Sequence, residues 1–353
     1  MHKIVIFSCY FGKLPEHFAF FLKSAGCNSS IDFIIITDDK TEWHIPSNVR
    51  IINLTFEEMK QRLQGLFPDF AIVLDLPYKL CDYKPVWGLA FPDYLRGYDF
   101  WGHCDLDMLF GDIRKFVSDS ILEKYDKIYR LGHLTLYRNT EENNNRYKLR
   151  ARGAVYYRDA FSTAEGVAFD EIAGIQNIYD GNGIATYKAR DYADITWGKY
   201  RFTLSDFLLS PEQVKDNNYA RQVFYWEDGH VYRAFWADNA IQTDEFVYIH
   251  FSKRRMEPHN INADCSSFFI TNRGLFPKQG EIQLSTFDQY NPYEPEQEKG
   301  AVKKCCGTNA DAPWRIIGKL QKRSWVWDNR YTQVSGGVPV ARGCGHCLTF
   351  FPI

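Results

Sequence analysis

No run of apolar residues in this chain is long enough to cross a membrane, so an integral membrane protein is not expected. No charge of one sign dominates. The 42 Lys and Arg against 44 Asp and Glu give a formal net charge of −2, which argues against the basic face of a nucleic-acid binder. No internal repeat is visible, which sets repeat architectures aside. The nine cysteines are an odd number and follow no disulfide-scaffold spacing, so a reducing, cytoplasmic compartment is expected. The opening apolar run, Ile4 to Phe7, is too short for a secretory leader, and no small-residue cleavage site follows it. It reads instead as a first buried strand.

What is present is a full core and many aromatics. The chain has 353 residues, 45% of them hydrophobic, enough for one large α/β domain or two smaller ones. Most of the 27 Phe, 22 Tyr and 9 Trp must be core; a few exposed rings would suit stacking on sugars.

Strand-like and helical patterns alternate. Lys3 to Cys9, Asp32 to Asp39 and Val49 to Leu54 read as strands, with helices over His17 to Ala25 and Thr55 to Leu63. Thr55 and Glu58 have the spacing of a capping box. This order predicts a mixed α/β sheet with helices on its faces and ligands at the carboxyl ends of strands. Further along, Asp126 to Leu131 and His133 to Tyr137 read as strands, and Thr140 to Arg146 as a mobile loop. A hairpin is expected at Val223 to Phe235, turning at Glu227-Asp228-Gly229. Phe246 to Phe251 is a late strand.

The most informative segment is Phe100-Trp101-Gly102-His103-Cys104-Asp105-Leu106-Asp107. If it is a strand, alternation puts Asp105 and Asp107 on one side, where two carboxylates can share a hard cation, Mg²⁺ or Mn²⁺. Such a cation commonly holds a diphosphate. The plainer reading is a strand that ends in two solvated acids.

Several segments in order carry a resemblance: Ser8-Cys9-Tyr10-Phe11-Gly12, Lys79-Leu80-Cys81-Asp82-Tyr83-Lys84-Pro85, Asp105-Leu106-Asp107 and Tyr248-Ile249-His250-Phe251. Together they resemble nucleotide-sugar glycosyltransferases of the GT-A fold, more narrowly an uncharacterised bacterial group associated with polysaccharide synthesis. The resemblance covers roughly residues 1–260 and implies a GT-A-like (Rossmann-type) α/β sheet with helices on both faces. Residues 261–304 would be an extension and linker, and 305–353 a Cys/Trp/basic tail.

The resemblance also implies roles. Asp107 would bind the metal, Asp105 the metal or ribose, and His250 would complete a site for Mn²⁺ or Mg²⁺. Asp82 would meet ribose or sugar hydroxyls and Lys84 a phosphate, unless Asp82 is a helix cap and Lys84 a solvated lysine. Asp39, with Asp38, ends the second strand and would contact base or ribose, unless the two are turn residues; Tyr10 would lie against the base or else pack in the core. Lys253 would neutralise the leaving diphosphate. Asp170 and Glu171 would supply the base of an inverting transfer, or else are first-turn helix acids; Asp194, Asp228 and Asp238 stand in reserve.

The expected function is therefore a metal-dependent transfer of a sugar from a nucleoside-diphosphate sugar, UDP favoured, to a hydroxyl of a glycan or lipid-linked acceptor in cell-surface polysaccharide synthesis. No nucleic-acid partner is expected. Two alternatives remain: a phosphatase of the haloacid-dehalogenase type, in which the first Asp of Asp-x-Asp is the nucleophile, and a non-catalytic metal-dependent carbohydrate-binding protein. In the tail, Cys305, Cys306, Cys344, His346 and Cys347 are either free side chains or zinc ligands. Residues 314–327 mix cations with aromatics and would either pack on the domain or lie peripherally on the inner face of a membrane.

Overall fold

The computed structural model describes residues 1–195, 201–205 and 210–295. Strand β1 (Ile4–Tyr10) is apolar and buried along most of its length, as a strand covered on both faces must be. It pairs in parallel with β2 (Ile31–Thr37), and β2 pairs in parallel with β3 (Val49–Asn53). On its other side β1 pairs in parallel with β4 (Phe100–Cys104). The order of the seven-stranded sheet is β3-β2-β1-β4-β7-β6-β8, with β6 at Lys127–Ile128, β7 at Leu134–Arg138 and β8 at Thr186–Tyr187. Strand β7 runs antiparallel to β4, so the carboxyl end of β4 meets the amino end of β7.

Helix α1 (Phe18–Gly26) is buried on more than one side: Phe18, Phe21, Leu22 and Ala25 pack in one cluster, and Phe20 packs in another against Phe268. Helix α2 (Phe56–Gly65) starts at the expected capping box: the Thr55 side chain accepts the Glu58 N–H while Glu58 reaches back to the Thr55 N–H. Mixed α/β architecture is thus what the chain adopts.

Two smaller sheets complete the described residues. Strands β5 (Met108–Phe110), β9 (Ala193–Asp194) and β13 (Tyr248–His250) form a three-stranded sheet with β13 at its centre. The other sheet is antiparallel, ordered β12-β11-β10-β14-β15. Its strands are β10 (Gln222–Glu227), β11 (His230–Ala237), β12 (Ala240–Phe246), β14 (Ser267–Thr271) and β15 (Gly274–Pro277). Asp228 and Gly229 join β10 to β11 with φ of 47° and 90°, the two positive values that a two-residue hairpin turn needs. The Trp226 indole donates to the Phe110 carbonyl at 3.0 Å and ties this sheet to β5.

Some expectations change. Thr140 to Arg146 is no mobile loop: Glu141–Asn145 is a short helix, capped by the Thr140 side chain on the Asn143 N–H. Asn143 is buried and donates to the Asp126 and Arg138 carbonyls, which explains the polar run as internal hydrogen bonding. The chain continues past residue 260 into the same antiparallel sheet, where β14 pairs with β10. Within the expected extension, Leu284–Tyr290 is a helix anchored through the buried Phe287 against Val223 and Tyr225. The tail cysteines and residues 314–327 lie outside the described residues, and among those described no helix is long and apolar enough to cross a membrane.

Candidate functional site

Strand β4 ends at Cys104, so Asp105-Leu106-Asp107 is not the strand tip that alternation suggested but the turn linking two sheets. Its two ends are still pinned like strand residues. The Asp105 N–H donates to the His133 carbonyl, the last rung of the β4–β7 ladder. The Asp107 carbonyl accepts from the Phe251 N–H, the first rung beyond β5–β13. The turn therefore brings the two carboxylates together by crossing between sheets.

His250 closes the group. Ligand atoms of Asp105, Asp107 and His250 all lie within 4.8 Å of one another. His250 Nε2 is 3.4 Å from an Asp107 oxygen, and Nδ1 is 2.8 Å from Asp194, its direct partner across β13–β9. Burial alone would strip the His250 proton, but Asp107 and Asp194 outweigh it and hold the ring charged well above the usual histidine range. Burial likewise opposes ionisation of Asp107, and His250 outweighs it and holds that carboxyl well below its usual range. The His133 ring stacks on His250 at 3.6 Å between centroids and is pushed down to about 4 by burial, so it is neutral at pH 7.

A second group of charges adjoins the first. Lys84 Nζ donates to Asp105 at 2.7 Å and to the Gly132 carbonyl at 3.0 Å, and lies 3.1 Å from Asp170. Burial opposes the Lys84 charge, but Asp105 and Asp170 hold the ammonium protonated well above its usual range. Asp170 is 3% exposed, and burial pushes it up to about 8 despite Lys84. Glu171, half-buried, is also pushed up by burial; it accepts the Gly132 N–H at 3.3 Å. A β-carbon at Gly132 would stand 2.3 Å from an Asp170 oxygen, so only glycine lets the acids close on this loop. Asp170 precedes and Glu171 is the N-cap residue of the helical turn Ile172–Gln176, yet the Glu171 side chain makes no capping hydrogen bond, and both acids face this cluster.

Lys253 reaches the site through its backbone, which donates to Asp107 at 2.5 Å with φ of 67°. Its ammonium lies on Tyr78, 2.8 Å from the hydroxyl and 4.4 Å from the ring centre, and Tyr78 is 63% exposed.

The remaining expected residues stand elsewhere. Asp82 is 1% exposed; its carboxylate takes Lys79 at 2.7 Å and the N–H groups of Val167 and Phe169. It is neither a helix cap nor a group open to a ribose, but the clamp that places the segment leading to Asp170. The Asp39 carboxylate holds the Leu14 and Thr41 N–H groups, and Asp38 holds that of Gly12. Both therefore shape the loop after β1. Tyr10 ends β1 with its side chain exposed, on the same sheet edge as the Asp-Leu-Asp turn. His133 and Gly132 were not expected. Their signal is the β4–β7 register, which sets His133 opposite Asp105, and pairing of that kind is not written in local sequence.

The donors suit a divalent cation: two carboxylates and one imidazole, with an imidazolium already meeting the acids' charge. Fold and site together define an α/β protein with a carboxylate–histidine cluster at the carboxyl end of a strand in its central sheet. The chain belongs to DUF6625, a family of unknown function, whose model matches residues 6–279. No curated protein matches the sequence. Solved structures similar to the chain include the galactosyltransferase LgtC in complex with donor and acceptor sugar analogs. That enzyme is 11% identical, with 71% of this chain and 87% of LgtC covered and a TM-score of 0.35. An active-site mutant of LgtC matches at 10% identity, 71% and 88% coverage and the same TM-score of 0.35.

Proposed function

We propose that this protein is a metal-dependent glycosyltransferase that moves a sugar from a nucleoside-diphosphate sugar to a hydroxyl of a glycan or lipid-linked acceptor. The observation that carries this reading is the convergence of Asp105, Asp107 and His250 within 4.8 Å beside the carboxyl end of β4. These three would hold Mn²⁺ or Mg²⁺, which supplies positive charge to a diphosphate as it leaves. Binding an ion there requires His250 to give up its proton, so metal uptake and proton release are linked.

The protein's own groups have distinct parts in this reading. Lys253, whose backbone N–H holds Asp107 and whose ammonium lies on Tyr78 at the rim, adds a cation for the diphosphate. Lys84 is enclosed by Asp105 and Asp170, so it orders these acids rather than meeting a phosphate as first expected. In an inverting transfer, a base takes the proton of the acceptor hydroxyl as its oxygen bonds to the anomeric carbon and the diphosphate oxygen departs. Of the two acids beyond Gly132, Glu171 is the more accessible and is assigned that role, with Asp170 fixed behind it by Lys84. UDP is the favoured donor nucleotide.

Thermal unfolding with UDP, GDP, CMP and ADP, each with and without Mn²⁺, tests the reading. A nucleotide at about 100 times its dissociation constant stabilises the folded state by roughly 2.7 kcal/mol. The expected outcome is a Mn²⁺-dependent shift with one nucleotide, lost in Asp107→Asn. A folded protein that shifts with none of them sinks the reading.

A further inference from the structure

His133, Asp194 and His250 form a second buried triad whose ligand atoms lie within 4.8 Å of one another. Its geometry does not suit a second ion. The His133 and His250 rings stack at 3.6 Å with 26° between their planes, so their in-plane lone pairs run nearly side by side. Lone pairs so arranged do not converge on one ion about 2.1 Å from each nitrogen. What the triad does suit is holding one imidazole still. We propose that Asp194 and His133 are positioning residues for His250, fixing its tautomer and ring plane so that Nε2 presents its lone pair to the Asp105–Asp107 position. This rests on the metal-site reading given above.

The two ring nitrogens of His250 already face opposite ways. Nε2 looks toward Asp107 at 3.4 Å and Nδ1 toward Asp194 at 2.8 Å. A neutral imidazole can ligate through Nε2 only if its proton sits on Nδ1, and a carboxylate at Nδ1 keeps it there. Asp194 is itself held firmly. It lies in register with His250 across β9–β13, and the next rung is the Ile195 N–H on the His250 carbonyl at 3.2 Å. The Ser252 hydroxyl donates to the Ile195 carbonyl at 2.6 Å and fastens the turn after His250 to the same strand. Rotation of the ring about its χ2 axis is blocked from one face by His133, which is 7% exposed and whose Nδ1 is buried without a partner. An imidazole with no hydrogen bond of its own on that side acts here as a flat surface. Asp194 is thereby removed from the reserve of catalytic bases: it touches His250, not an acceptor.

The test uses the full chain, metal-free, titrated with Mn²⁺ and followed by the electron paramagnetic resonance of the free ion. Nitrogen-15 spectra of the histidine rings are recorded on the metal-free protein at a pH where His250 is neutral. Asp194→Ala is expected to weaken Mn²⁺ binding about 10- to 100-fold and to turn a single Nδ1–H form into a mixture. Asp194→Asn keeps an acceptor oxygen and should restore most of the tautomer signal. His133→Phe, which keeps an aromatic face, should fall between the wild type and His133→Ala. Mn²⁺ binding that is lost in Asp107→Asn but unchanged in a folded Asp194→Ala overturns the proposal and leaves the metal reading standing. If the wild type binds no Mn²⁺, the metal reading fails, and the proposal fails with it if the wild-type ring carries its proton on Nε2. Should Asp194→Ala not fold, the wild-type spectrum and Asp194→Asn decide.

Discussion

Single residues behave here according to which elements enclose them. His17 precedes α1, is 4% exposed, and burial pushes it down to about 4. Its folded value lies below the unfolded one, so its contribution is present above pH 6.5 and is lost as pH falls through 4. Over that window the loss amounts to roughly 3 kcal/mol. In His17→Phe, urea unfolding from pH 7 to pH 4 should show an acid limb shallower by about that amount, on top of a constant offset from the unpaired Met256 N–H. A parallel limb in wild type and variant would mean that His17 titrates normally in the folded state. The residues legible in sequence were those whose meaning is local: Asp105 and Asp107 announce themselves by spacing, and Thr55 by its partner Glu58. The sequence left Asp82 and Asp39 between a ligand role and a structural one, because a carboxylate in a motif looks alike whether it faces a ligand or a backbone N–H. Only the positions of Val167 and Leu14 distinguish the two.

Elements were legible where periodicity was strong. The buried strands β1 and β2, the apolar α1 and the Asp228–Gly229 hairpin follow from pattern and turn chemistry. The short helix at Glu141–Asn145 was not legible, because its stability comes from Asn143 and Arg146 reaching into neighbouring carbonyls and carboxylates rather than from an apolar stripe. The stretch Pro77–Val86 is a tight helical run whose Lys79–Asp82 pair is almost fully buried, with side chains 3% and 2% exposed. Lys79 also donates to the Ala160 and Glu165 carbonyls. Removing one partner of a buried pair leaves an unmatched charge, which costs about 3–5 kcal/mol. Asp82→Ala should show that loss in urea unfolding, together with faster amide exchange over residues 167–171, which its carboxylate restrains. A loss below about 1 kcal/mol with unchanged exchange would mean that this segment is positioned by something else.

At the scale of the whole molecule, the central sheet was foreseeable and the two smaller sheets were not, since neither β13 between β5 and β9 nor β14 beside β10 follows from local sequence. The consequence is practical. A chain ended at residue 260, where the resemblance stops, lacks β14 and with it Phe268 and Ile270, 0% and 1% exposed in the intact protein. Uncovering β10 and its apolar face should make that truncated chain aggregate, whereas a chain ended at residue 295 keeps every described strand. Sedimentation of the two purified products compares them directly; a monomeric, cooperatively melting product ending at residue 260 would refute this.

The Lys253-to-Asp107 hydrogen bond joins positions 146 residues apart in sequence. During synthesis the Asp-Leu-Asp turn leaves the ribosome long before His250 and Lys253 exist to meet it. For that interval Asp105 has Lys84 as its counter-charge, but Asp107 lacks His250, and β5 stands without its partner β13. The proposed ion site would therefore be a late product of translation, and a nascent chain stalled before residue 250 should hold the central sheet yet have no grip on Mn²⁺.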